Sequence, residues 1–153
     1  MRRDLWRLRV HALTVADATP KEVTTPESYL GYARLDRSRY LGRELRPKTK
    51  GDYVFPERLP RDSLSYAGVW TVGSESALAG RRARLRLHFH ARFVYIVLGG
   101  RGRVRALVDG RPAGSLEVRS NRLYTVVEGP RPRDALLELR FSPGVEAYSF
   151  TFG

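Results

Sequence analysis

From Ala83 onward the chain is written almost entirely in a two-residue period. Leu85, Leu87 and Phe89 alternate with Arg84, Arg86, His88 and His90, the pattern of a strand with one dry and one wet face. Beyond Ala91 and Arg92 the phase slips, and Val94, Ile96 and Leu98 become the better core set, which predicts a bulge or bend between two strands. Val104, Ala106 and Val108 then alternate with Arg103 and Arg105, and residues 116–118, 123–127 and 135–141 continue the series. At the end, Tyr148, Phe150 and Phe152 alternate with Ser149 and Thr151. Gly99-Gly100-Arg101-Gly102 reads as a hairpin turn and Asp109-Gly110 as a second tight turn. Short strands at spacings of about 8–12 residues, with no helical period, predict an all-β antiparallel sandwich of jelly-roll type.

The first part of the chain is less regular. Residues 65–72 read as a strand with Tyr66 and Trp70 on one face. Between Pro26 and Pro60 the aromatic residues follow no period and are punctuated by Gly31, Gly42, Pro47, Gly51 and Pro56. This predicts an extended arm whose aromatics pack across the sandwich, with an edge strand near residues 53–55, because only aromatic burial offsets the ordering entropy of such an arm. Residues 1–23 read as an N-terminal arm or linker remnant, and residues 24–153 as the one domain that 153 residues allow.

Charge and cysteine usage narrow the function classes. The absence of cysteine excludes a disulfide framework, a thiol nucleophile and cysteine-ligated zinc. The net charge of +12 invites a polyanion partner. Of the 28 basic residues, three are Lys21, Lys48 and Lys50 and the other 25 are arginines spread along the chain. That distribution predicts non-specific attraction to polyanions rather than a dedicated nucleic-acid site. No apolar run approaches the roughly 18–20 residues of a membrane span, so a membrane-inserted protein is not expected. Arg7, Arg9 and His11 interrupt the apolar stretch an export signal would need.

Four segments, in order, carry a family resemblance: Thr25-Pro-Glu-Ser-Tyr-Leu-Gly31, Val94-Tyr-Ile-Val-Leu-Gly-Gly100, Asp109-Gly-Arg-Pro-Ala113 and Tyr148-Ser-Phe-Thr151. Together they make residues 24–153 resemble the C-terminal domain of DipZ-type, thioredoxin-like (TlpA-like) proteins. In that family a membrane part of the cytochrome c biogenesis type and a thioredoxin-like domain precede a jelly-roll domain similar to carbohydrate-binding modules. The resemblance implies an accessory role outside the cytoplasm, positioning a thioredoxin-like redox partner or binding envelope glycans, neutral or acidic. The family's Cys-x-x-Cys redox pair has no counterpart here, so no enzyme activity and no cofactor are expected. A module docking on a thioredoxin-like partner is the second reading, and a non-specific basic nucleic-acid binder the third.

The residues themselves offer three constellations. Sugar rings stack on exposed aromatics while amides and charged groups bind their hydroxyls; Trp70 and Tyr124 are the candidate rings and Asn121, the only asparagine, their polar partner. For every aromatic here, core packing is the competing reading. Eight arginines between Arg81 and Arg105 occur without an intervening acid, and hairpin geometry would gather several of them, with Arg86, Arg103 and Arg105 the candidates, into a positive patch, a solvated face being the competing reading. His88 and His90, two apart on a strand, point to one side in a geometry that suits zinc or copper. Arg86 and Arg92 beside them would repel a cation, so the pair reads as two solvated histidines and no metal is expected.

Overall fold

A computed structural model describes residues 24–153; the arm expected over residues 1–23 lies outside them. The described residues form ten strands: β1 (Ser28–Tyr29), β2 (Arg39–Tyr40), β3 (Lys50–Tyr53), β4 (Ser63–Val72), β5 (Ala77–Ala79), β6 (Arg84–Gly100), β7 (Gly102–Val108), β8 (Arg111–Val118), β9 (Arg122–Phe141) and β10 (Val145–Phe152). One 3₁₀ segment, Tyr32–Arg37, stands between β1 and β2. No helix of the described residues is long and apolar enough to cross a membrane.

The long strands β6 and β9 make the sandwich. The first half of β6 pairs with β4 and with the end of β9 (Leu87 opposite Leu64 and Leu137). Its second half pairs with β10 and with the start of β9 (Ile96 opposite Phe150 and Tyr124). The three-residue β5 bridges β4 and β10, so β4, β6, β10 and β5 close a circuit in barrel-like fashion. On the other side, β7 and β8 extend the sheet from the end of β9. The ladders are antiparallel except for the short parallel pairing of β2 with β4.

The phase slip at residues 91–92 is present as a bulge between Ala91 and Phe93, but it lies inside one continuous strand rather than between two. Opposite it, Arg133 pairs with Ala91 and Glu128 with Phe93, so the intervening Gly-Pro-Arg-Pro of β9 stands out from the ladder. Arg92 Nε donates to the Gly129 carbonyl at 2.8 Å and fastens this bulge. Two prolines without N–H groups fit that unpaired stretch.

The expected hairpin at the glycine-rich turn is not formed. β6 and β7 belong to different ladders, and the turn carries the chain from one to the other. Its glycines serve close packing: a Cβ on Gly100 would lie 2.3 Å from the Gly144 carbonyl oxygen, and one on Gly102 2.2 Å from Ser142 Oγ. The true two-residue hairpin is Asp109-Gly110 between β7 and β8, with φ of 50° and 80°, the left-handed pair that matches strand twist.

The core joins both halves and includes the arm. Trp70, Tyr66, Phe89, Phe93 and Phe150 are fully buried. Tyr66 meets Trp70, Tyr53 and Tyr40 at ring centroid distances of 5.0, 6.1 and 5.9 Å, so the arm packs its aromatics inward as its composition predicts. The edge strand falls at Lys50–Tyr53, slightly before its expected place. Val54 is left exposed and Phe55 half-buried.

The Tyr66 hydroxyl donates to the Leu30 carbonyl at 2.6 Å. Burial, reinforced by Tyr40 and Tyr53, pushes its pKa well above the ordinary value, so the group remains a donor. Tyr66→Phe leaves that carbonyl without its partner and is expected to cost about 1–2 kcal/mol in urea unfolding, with no change in far-ultraviolet spectrum.

Candidate ligand-binding surfaces

The structure separates the sequence candidates sharply. Trp70 is no stacking platform: it is fully buried, its Nε1 donates to the carbonyls of Ala67 and Arg84 at 3.0 and 3.2 Å, and its ring packs on Phe141. Tyr124 is also buried, with its hydroxyl on the Ser120 carbonyl at 2.9 Å and the Arg122 guanidinium over its ring. Both face inward because they share the strand face of the core residues. Asn121 is exposed in the β8–β9 turn, as expected, but it serves another ring: its Nδ2 donates to the Tyr148 hydroxyl at 3.4 Å.

That ring belongs to a cleft of about 220 Å³ lined by Glu27, Tyr29, Arg34, Glu75, Tyr148 and Ser149, with Gly31 and Ser74 completing it. The cleft exists because β1 pairs with β10, placing Tyr29 opposite Ser149. The segment from Thr25 to Gly31 divides by role. Thr25 Oγ1 accepts the His90 N–H at 2.7 Å and donates to Asp62 at 2.6 Å, tying the segment to β6. Leu30 is fully buried, and a Cβ on Gly31 would lie 2.3 Å from the Ser74 carbonyl oxygen. Glu27 and Tyr29 instead face the cleft, joined by a 3.0 Å hydrogen bond from the tyrosine hydroxyl. Arg34 covers one face of Tyr29 at 4.9 Å and approaches Glu75 at 3.7 Å. Tyr148 is half-buried and stacks on no other ring among the described residues. Carboxylates, a guanidinium, hydroxyls and an amide around two phenol rings form a set suited to vicinal hydroxyl groups. Sequence reasoning missed Tyr29 and Glu27 because β1 is only two residues long and shows no period.

A second surface spreads over the outer face of β6, β9, β7 and β8. Here Arg86, Arg103 and Arg105 do come to one side. Arg86 Nε donates to Glu138 Oε1 at 2.8 Å, Arg140 Nε to Glu138 Oε2 at 2.7 Å, and Arg103 to Glu117 at 2.9 Å. Arg105 is exposed and has no ion-pair partner among the described residues. Phe55 of the arm lies beneath the guanidinium groups of Arg86 and Arg84, at 4.3 and 5.3 Å. Between the arm and this face runs a cleft of about 280 Å³ lined by Phe55, Leu59, Arg86, His88, Asp109 and Asp134, among others.

His88 lines this cleft, and the neighbouring His90 is not solvated as the alternation suggests. It is 8% exposed, with Nδ1 on Asp134 at 2.9 Å, while Arg61 holds the same carboxylate oxygen at 2.9 Å. The half-buried His88 donates from Nδ1 to the Leu59 carbonyl at 2.8 Å. The loop after β3 covers this part of the strand and removes it from water. Among the described residues no group of three or more potential ligands gathers around a cation position.

Burial works to raise the pKa of Glu138, but hydrogen bonds from Arg140 and Arg86 outweigh it and hold the group below the ordinary glutamate value. At Asp134 desolvation is likewise outweighed, by His90 and Arg61, and its pKa is lowered.

The sequence matches the family of thioredoxin-like C-terminal domains over residues 25–153, and the chain belongs to that family. It is 33% identical over 141 residues to Protein DipZ of Mycobacterium bovis and to Protein DipZ of Mycobacterium tuberculosis, covering 92% of this chain and 20% of each relative. The chain thus spans about a fifth of the length of these relatives and corresponds to a DipZ-type C-terminal domain. Among solved structures, a family two carbohydrate esterase from Clostridium thermocellum in complex with cellohexaose aligns with a TM-score of 0.47 and 19% identity, over 52% of this chain and 27% of that one. A family two carbohydrate esterase from Cellvibrio japonicus gives 0.47 and 13%, over 50% and 26%.

Glu138 has a folded pKa below its unfolded value, so its stabilising contribution is complete above the ordinary 4.5 and is lost as pH falls through the lowered value. Glu138→Gln is expected to be about 1–2 kcal/mol less stable at neutral pH. Its stability should also fall less steeply than that of the wild type below about pH 4.5, as measured by thermal unfolding across pH 3–7.

Proposed function

We propose that this domain is a non-catalytic accessory module that holds a thioredoxin-like redox partner against envelope polysaccharide, with the cleft around Tyr148 as its sugar site. The observation that carries this reading is the convergence in one open cleft of the outward residues at both ends of the domain. Glu27 and Tyr29 come from the first segment, Tyr148 and Ser149 from the last strand, and Asn121 reaches the Tyr148 hydroxyl. At about 220 Å³ the cleft lies below the roughly 300–1,000 Å³ of sites that enclose a drug-sized ligand. That size suits one ring of a longer chain. Family membership supports a place beside a thioredoxin-like domain. The module contributes no redox step itself, since thiol–disulfide exchange begins with a thiolate and the sequence contains no cysteine.

A single stacked ring contributes on the order of 1 kcal/mol, so affinity for a short sugar is weak and a polymer is the better probe. Retention on immobilised neutral envelope polysaccharides is expected, and Tyr148→Ala should weaken it about fivefold while the domain stays folded by circular dichroism. Wild-type binding in a folded Tyr148→Ala variant contradicts the site. Failure of the native domain to bind any neutral polysaccharide contradicts the sugar reading and leaves docking on the thioredoxin-like partner.

A further inference from the structure

The register of three strands sets arginines in a row. Arg140 of β9 is directly opposite Arg84 of β6 on one side and Arg105 of β7 on the other. Ser115 of β8 continues the row beyond Arg105. Residues directly opposite in antiparallel strands share a face, and like charges in that position destabilise the sheet. Asp109 and Asp134 stand farther along the face, in the cleft with Arg86; around the row it carries Arg84, Arg86, Arg103, Arg105 and Arg140 against Glu117 and Glu138. Those two acids pair with Arg86, Arg103 and Arg140, leaving Arg84 and Arg105 at the ends of the row without a carboxylate among the described residues.

Opposite charges in such a row would stabilise the sheet, whereas three arginines in register cost it stability. The buried Glu138 pairs with both Arg140 and Arg86, so it fixes the two in place and offsets only one of their two charges. Arg84 is fixed against the Phe55 ring. The Arg84 and Arg140 guanidinium groups are therefore held before any ligand arrives, which lowers the entropic cost of binding, while the exposed Arg105 is ordered by the ligand itself.

We propose that Arg84, Arg140 and Arg105 form a recognition row for a linear acidic polysaccharide bearing one carboxylate per ring, lying across the strands. Adjacent strands stand about 4.8 Å apart, comparable to the length of one sugar ring, so successive carboxylates meet successive arginines. Each strand of duplex DNA presents charge every ~3.4 Å along the axis and winds around it, which does not match a straight row at this step. Among the described residues the face also offers no free aromatic ring for base stacking, since the Phe55 ring is covered by Arg84 and Arg86. This row is separate from the Tyr148 cleft and does not depend on that cleft binding a neutral sugar.

The test uses the domain with immobilised polygalacturonate, its fully methyl-esterified form, and duplex DNA as competitor. Arg105→Gln removes one end of the row without breaking an ion pair. It is expected to weaken polygalacturonate binding about fivefold to tenfold and to raise the melting temperature of the free domain by about 1–4 °C through relief of repulsion. Arg111→Gln, the same charge change at an exposed position on β8, should leave affinity within about twofold. Tyr148→Ala should leave it unchanged, and the methyl ester should not bind. Equal loss with Arg111→Gln, or DNA competing as well as polygalacturonate at equal charge, would show bulk attraction and overturn the proposal. Loss with Tyr148→Ala would place the acidic polymer in the tyrosine cleft and overturn it equally.

Discussion

The ladder between β6 and β9 is the constraint on which everything else in this domain depends. Fourteen register pairs run along it, and each strand is long enough to serve both layers of the sandwich. Because one strand crosses from layer to layer, the layers cannot slide independently, and the bulge at Ala91–Phe93 sets how they meet. The same bulge shifts the inward phase from Leu87, Phe89 and Ala91 to Val94, Ile96 and Leu98, so the core continues through the bend. Both candidate surfaces inherit their geometry from it. The second half of β6 holds β10 and thereby Tyr148, while the first half holds the arginine row and the cleft under the arm.

Much of this was legible in the residues, and the failures have physical causes. Alternation at Leu85, Leu87 and Phe89, and its slip near Arg92, is visible because a half-buried strand must repeat every two residues. The length of β9 is not visible, because Gly129, Pro130 and Pro132 read as a loop, whereas they form a bulge whose flanks keep the ladder. The glycine-rich turn misleads for a related reason. Glycine permits a hairpin, but it also permits close approach of another segment, and contact with Ser142 and Gly144 cannot be read locally. His90 reads as wet because its own strand alternates correctly, while the loop that covers it comes from elsewhere.

The candidate site was legible only in part. Arg86, Arg103 and Arg105 reach one face as strand periodicity requires, but Arg140 joins them through register, which spans more than 30 residues of sequence. Trp70 and Tyr124 carry the chemistry of a sugar platform but lie on the core face of their strands. The residues that do line an open cleft, Tyr29 and Tyr148, come from opposite ends of the domain, so no local pattern announces them. The segment from Thr25 to Gly31 shows how one motif serves two ends. Thr25, Leu30 and Gly31 anchor the backbone, and this anchoring turns Glu27 and Tyr29 outward.

The central claim is that a rigid sandwich presents a preformed ligand cleft where its first and last strands meet. Backbone amide shifts followed by nuclear magnetic resonance during titration with a neutral envelope oligosaccharide test this directly. The account predicts perturbations confined to residues 27–31, Arg34, residues 74–75, Asn121 and residues 148–149, with the amides of β6 and the second half of β9 unmoved. Shifts centred instead on Arg86 and His88, or spread through the β6–β9 ladder, would contradict it.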